Sequence, residues 1–274
     1  MSPKYFLLII FFILYSFYIK TTKNPMIKIM CIGDSITYGH MPGSYRKFLY
    51  HNLIKKGYKI KMLGANSNKI KKYYYTLNNS EYFEYQDNNS GFPSCTISSF
   101  GKRKGLLEIL EKNECLKLNP DIIILQIGTN NIMENYIFNK TIKDFISLIN
   151  FILYNMSKEA IIFVATIPDM NPNIKRVYKW FDNYRKNNCD DNEVKNNVKN
   201  YIKKFNKEVK EIIGDLRNKN YNVRIVDLNK IIKDTDKLLL DGVHPNDKGY
   251  KKMGNFWTEI IDNYLTEKFI KTNQ

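Results

Sequence analysis

Histidine and cysteine are scarce in this 274-residue chain, and the scarcity narrows the chemistry it can carry. The four cysteines, Cys31, Cys95, Cys115 and Cys189, show no Cys-x-x-Cys spacing, which argues against a metal site. Cys31 falls inside an apolar run and reads as a small core residue. A disulfide among the other three stays open for an oxidising compartment. With only three histidines, His40, His51 and His244, a base for proton transfer can be sought by elimination. Acidic residues are also short: 27 against 43 Lys and Arg, for a formal net charge of +16. So basic a chain raises the question of a polyanionic partner. The excess is Lys-dominated and spread among many Asn, Ile and Tyr, with no compact basic cluster interleaved with aromatics. No nucleic-acid partner is therefore expected.

Long apolar runs are missing except at the start, where residues 5–19 carry no charge and follow Lys4. Fifteen residues are short for a membrane-spanning helix but suit a signal-peptide core. No Ala-x-Ala site follows; Lys20 to Pro25 is polar, so the segment is either cleaved at a poor site or kept as a membrane tether. Residues 1–25 are therefore set apart as signal peptide or N-terminal anchor, and the protein is expected to be secreted or membrane-anchored. Residues 26–270 read as a single domain, with no internal repeat. The sequons at Asn78, Asn88, Asn139 and Asn155 are what chance supplies in so Asn-rich a chain.

What is present is organised around Lys28 to Gly39. The apolar run Ile27, Ile29, Met30, Cys31, Ile32 stops at Gly33-Asp34-Ser35, the pattern of a buried parallel strand entering a tight turn. Further strands are predicted over 58–63, 120–128, 160–167 and 222–228. Helices are predicted over 44–54 (stopping at Gly57), around 106–110, over 141–156 and 194–216, and from Asn246 onward. This alternation implies an α/β fold: a doubly wound, mostly parallel five-stranded sheet with helices on both faces. Residues 65–90 and 169–191 are polar, Tyr- and Asn-bearing, and read as long loops framing a site.

Open α/β sheets bind ligands outside the carboxyl ends of their strands, where Ser35 stands. A serine nucleophile needs a base, an orienting carboxylate and donors for an oxyanion. His51 lies in a Lys-rich helix and His40 is a candidate for lining the site. His244 sits in Leu240-Asp241-Gly242-Val243-His244-Pro245, where Asp241 can reach back to the imidazole across a tight turn. Asp-x-x-His alone also fits half a metal site, but no companion ligands accompany it. Asn130, in Gly128-Thr129-Asn130-Asn131, follows a strand end as Ser35 does and can offer a side-chain amide.

These blocks resemble the SGNH (GDSL-type) hydrolases, whose Ser, Gly, Asn and Asp-x-x-His match Ser35, Gly91, Asn130 and Asp241 with His244, in order. The resemblance implies an SGNH/flavodoxin-like α/β/α sandwich. It implies Ser35 as nucleophile, His244 as base and then acid, and Asp241 as its orienter. The oxyanion hole would be the Ser35 and Gly91 N–H groups and the Asn130 amide, with no metal or cofactor. Met41 to Arg46, the Gly-Tyr before the second strand and Gly249-Tyr250-Lys251-Lys252 are similar to carbohydrate esterase family three, the acetyl xylan esterase-like branch. That branch implies an acetylated polysaccharide or oligosaccharide as substrate partner. Two positions depart from it: Gln86-Asp87-Asn88 stands where His-Glu-Gly is usual, and Asn131 where Asp is usual. A lysophospholipase or lipase of the same superfamily, or a non-catalytic carbohydrate-binding protein on this scaffold, is the alternative expectation.

Overall fold

The computed structural model describes residues 25–39, 44–67, 87–186 and 189–272. The expected leader at residues 5–19, His40 and Gln86 fall outside them. Among the described residues no helix is long and apolar enough to cross a membrane.

In chain order the elements begin with β1 (Ile27–Gly33), α1 (Ser35–Tyr38), α2 (Ser44–Lys55) and β2 (Ile60–Leu63). Next come β3 (Asn66–Ser67), β4 (Asn88–Gly91), α3 (Leu106–Asn113), β5 (Ile122–Gln126), α4 (Thr129–Met133) and α5 (Phe138–Asn155). The last are β6 (Ile161–Ala165), α6 (Asp182–Arg185), α7 (Asp191–Asn218), β7 (Val223–Val226), α8 (Thr235–Leu238) and α9 (Asp247–Thr272).

The period-two alternation of side chains divides each buried strand between two cores. Ile29 and Cys31, Ile122 and Ile124, Ile161 and Phe163 point to one face and meet α2 and α9, where Trp257 is fully buried. Cys31 is free in this core, and burial pushes its thiol up to about 12. Met30 and Ile32, Ile123 and Leu125, Ile162 and Val164 point to the other face and meet α3, α5 and α7. Strands buried on both faces explain the continuous apolar runs in the sequence. α7 starts with a capping box, in which Asp190 accepts from the Asn192 and Glu193 N–H groups and Glu193 accepts from the Asp190 N–H.

All five predicted strands form, and β1, β5, β6 and β7 run parallel side by side. The other edge of β1 is shared: Ile27 to Met30 pair with β2, while Ile32 and Gly33 pair with Ser90 and Gly91 of β4. Taking the five predicted strands in chain order, the sheet reads 2-1-3-4-5, with its switch point between β1 and β5.

Two expectations are corrected. The stretch 65–90 is not one loop, since its ends form β3 and β4 as an antiparallel pair, and β4 joins the main sheet. Its sequence Asn-Asn-Ser-Gly carries no apolar signal, and the pairing comes from tertiary context. Residues 169–191 hold a 3₁₀ turn at Tyr178–Phe181 and then α6. Their Phe181 and Tyr184 are buried in the core, which anchors the segment. None of the four cysteines forms a disulfide.

Candidate active site

β1 ends at Gly33, and Asp34 turns the chain into α1. Its Oδ1 accepts the Ile36 N–H at 2.9 Å, making Asp34 the N-cap and Ser35 the first helical residue. Buried completely, the Asp34 carboxyl has its pKa raised by desolvation against the opposing Ile36 hydrogen bond. In the first turn, the Ser35 N–H has no intrahelical acceptor.

The Asp241–His244 turn lies between α8 and α9. Gly242 adopts φ +90°, and a Cβ there would stand 2.3 Å from the Asn171 carbonyl oxygen, so only glycine lets the chain turn this tightly. Asp241 Oδ1 accepts the Val243 and His244 N–H groups at 3.0 and 2.8 Å. Its Oδ2 lies 2.9 Å from His244 Nδ1. Burial works toward a neutral Asp241, but the hydrogen bonds and charge of His244, with the Val243 N–H, outweigh it and bring its pKa down to about 2. A proton on Nδ1 shared with this carboxylate leaves Nε2 as acceptor, 2.8 Å from Ser35 Oγ. The Trp180 ring meets the imidazole edge-on at 5.8 Å between centroids and is 37% exposed.

Asn130 follows β5 at the start of α4. Its Nδ2 donates to the Cys95 carbonyl at 2.8 Å, which occupies one of two amide protons. Its Oδ1 accepts from Arg103 Nη1 at 3.4 Å, and Arg103 is itself held by Glu134 at 2.8 and 2.5 Å. Asn183 of α6 donates to the Glu134 carbonyl and carboxylate, tying this network to the 169–191 segment.

Gly91 packs against α1 so closely that a Cβ would lie 2.3 Å from the Tyr38 nitrogen. Its N–H donates to Asn89 Oδ1 at 3.0 Å. The donor expected of Gly91 is thus already engaged within the protein, in a side-chain turn that Asn89 supplies. The structure brings Ser35, His244 and Asp241 together in one hydrogen-bonded chain. Gly91 is the last residue of β4, paired with Gly33, and Asn130 follows the end of β5.

Sequence reasoning missed the supports. Arg46 of α2 is fully buried, donates from Nε to Thr37 O at 2.8 Å and from Nη2 to Tyr38 O at 2.9 Å, and pairs with Asp87. The Gln86-Asp87-Asn88 departure therefore keeps a buried carboxylate at Asp87, and Asn88 donates to Met62 O of β2. Asn131 Oδ1 accepts the Ile97 N–H at 3.0 Å, while its buried Nδ2 has no partner among the described residues. His51 is buried in α2. No group of three or more His, Cys, Asp or Glu suited to a metal ion occurs among the described residues.

The model of the GDSL-like lipase/acylhydrolase family matches residues 29–257. A multidomain esterase from Ruminococcus flavefaciens is 35% identical over 247 residues, covering 87% of this chain and 29% of that protein. An acetylxylan esterase from Xylanibacter ruminicola is 23% identical over 267 residues, covering 89% and 45% respectively. The chain thus spans less than half the length of either relative. A family 3 carbohydrate esterase structure from Talaromyces cellulolyticus shares the fold at TM-score 0.62 and 17% identity, covering 88% of this chain and 99% of that one.

Proposed function

The chain belongs to the GDSL-like lipase/acylhydrolase family, and from that premise we propose that it is a serine esterase releasing small acyl groups, above all acetyl, from a plant cell-wall polysaccharide such as acetylated xylan. The observation that carries the catalytic half is the continuous chain Ser35 Oγ–His244 Nε2–Nδ1–Asp241 at 2.8 and 2.9 Å. The substrate half is supported by the names of the two relatives and by Trp180, whose ring meets that of His244.

In this mechanism Ser35 Oγ attacks the ester carbonyl carbon while its proton passes to His244 Nε2. Asp241, ionised at any ordinary pH, holds the ring and stabilises the imidazolium. The oxyanion takes the free Asn130 amide proton and the Ser35 N–H. As the C–O bond breaks, His244 gives its proton to the departing sugar oxygen, freeing the hydroxyl, and a water activated by the same ring then releases the acid and regenerates Ser35. The steps call for no metal and no organic cofactor.

The deciding experiment is an acyl-chain-length profile on purified protein. A lipase gains about 0.8 kcal/mol per buried CH₂ and needs apolar walls for it. In the described part of 169–191 the Trp180 ring beside His244 is 37% exposed, a surface for a sugar ring. The expected result is kcat/KM falling steeply from acetate to octanoate, with acetate released from acetylated xylan. Equal or better turnover of the octanoate overturns the carbohydrate reading in favour of a lipase. Export through residues 5–19 belongs to the same proposal. Recovery of the protein in the cytosol of its own host with Met1 retained would sink that part.

A further inference from the structure

We infer that a basic cavity beside Asn130 is a subsite for a carboxylate-bearing sugar, so that the glycan being deacylated carries uronic acid. This rests on the esterase reading above and names its substrate class. The cavity has a volume of about 890 Å³, within the range of about 300–1,000 Å³ typical of ligand sites. Two of its lining residues bond to Asn130: Cys95, whose carbonyl accepts from the Asn130 amide, and Arg103, which reaches Asn130 Oδ1.

The lining is chemically lopsided. Lys102, Arg103, Lys104 and Lys112 contribute four cations against one carboxylate, Glu108. Both Glu108 oxygens accept from the one Ser99 N–H at 3.1 Å, which holds the carboxylate against the backbone. Among the described residues no carboxylate pairs with Lys102, Lys104 or Lys112. Phe92, Pro93 and Ile109 supply apolar surface to the same cavity. Apolar surface for the C–H face of a sugar together with ammonium groups matches a ring bearing a carboxylate better than a neutral one. Phe92, which lines the cavity, directly follows Gly91 and donates its N–H to the Gly33 carbonyl at 2.8 Å, so the cavity adjoins the end of β1 from which Ser35 leaves.

The test compares two acetylated oligosaccharides that are identical except that the uronate is free in one and methyl-esterified in the other. At low ionic strength wild-type kcat/KM should favour the free acid by about tenfold, and the preference should shrink as salt screens the lysines. The variant Lys102→Ala/Lys104→Ala/Lys112→Ala should bring the ratio close to one. A wild-type ratio of one, with both substrates turned over, overturns the inference and leaves the esterase reading standing. A second readout needs no turnover: calorimetry of the Ser35→Ala protein with a deacetylated uronate-bearing oligosaccharide. Binding that the lysine substitutions weaken supports the subsite. No binding, or equal competition by inorganic phosphate, overturns it.

Discussion

Ser35 Oγ and His244 Nε2 stand 2.8 Å apart although 209 residues of chain separate them. The sheet makes this possible: Ser35 leaves the carboxyl end of β1, and the His244 turn is delivered by the segment between β7 and α9. Ser35→Ala removes the hydroxyl and little else, so kcat on an acetate ester should fall about 10⁴-fold or more. Thermal unfolding should barely move. Retention of a tenth of wild-type turnover in the folded variant would mean that another group attacks the ester.

Asn130 is assigned to the transition state. Asn130→Ala should lower kcat by about 10²–10³, the usual effect of losing one oxyanion donor, with KM little changed. Asn130→Asp keeps the shape but replaces the donor by a negative charge beside the forming oxyanion, so its kcat should fall at least as far. Steady-state kinetics on the same ester decides the matter. A change confined to KM would place Asn130 in ground-state binding.

The low Asp241 pKa makes a pH prediction with a definite sign. A carboxyl whose folded pKa lies below its unfolded value stabilises the fold above the unfolded pKa, and this is lost as pH falls through the folded one. With a folded pKa of about 2, against about 3.9 unfolded, the contribution is on the order of 2 kcal/mol above pH 4. Asp241→Asn should therefore be less stable than wild type at pH 5–7, and the gap should close between pH 4 and pH 2. Denaturant unfolding across that range measures it. A gap that stays constant down to pH 2 would contradict the assignment.

How much of this was legible in the sequence depended on what holds each piece. β1, β5 and β6 are buried on both faces, so hydrophobic burial writes them into the chain as unbroken apolar runs. Ser35, Asn130 and His244 were findable because each follows a glycine-marked strand end or a short Asp-x-x-His turn. β4 was not, because Asn88 to Gly91 is held by pairing to Ile32 and Gly33 and by side-chain bonds such as Asn66 Nδ2 to Gly91 O at 2.7 Å. Arg46 was equally hidden: α2 buries Arg46, Lys47 and His51 beside Tyr45, Phe48 and Leu49, so apolar periodicity under-reports its inner face. The engagement of the Gly91 N–H by Asn89 depends on one side-chain rotamer, which spacing does not encode.

Arg46 allows stability and catalysis to be separated. It is fully buried against Asp87 and also donates to the carbonyls of Thr37 and Tyr38, the last residues of the turn that carries Ser35. Removing one partner of a buried ion pair is costly, so Arg46→Met should cost about 3–5 kcal/mol. Replacing both partners, Arg46→Met with Asp87→Leu, removes both charges together and should recover much of that loss. In the double variant the Thr37 carbonyl keeps only the Ser44 Oγ donor at 3.3 Å, the Tyr38 carbonyl loses its Arg46 donor, and α1 loses the brace that fixes Ser35 against His244. Its unfolding midpoint should therefore return toward wild type while kcat stays depressed. If kcat returns together with stability, Arg46 serves only as a counter-ion for Asp87, and the position of α1 is set by Gly91 and the sheet alone.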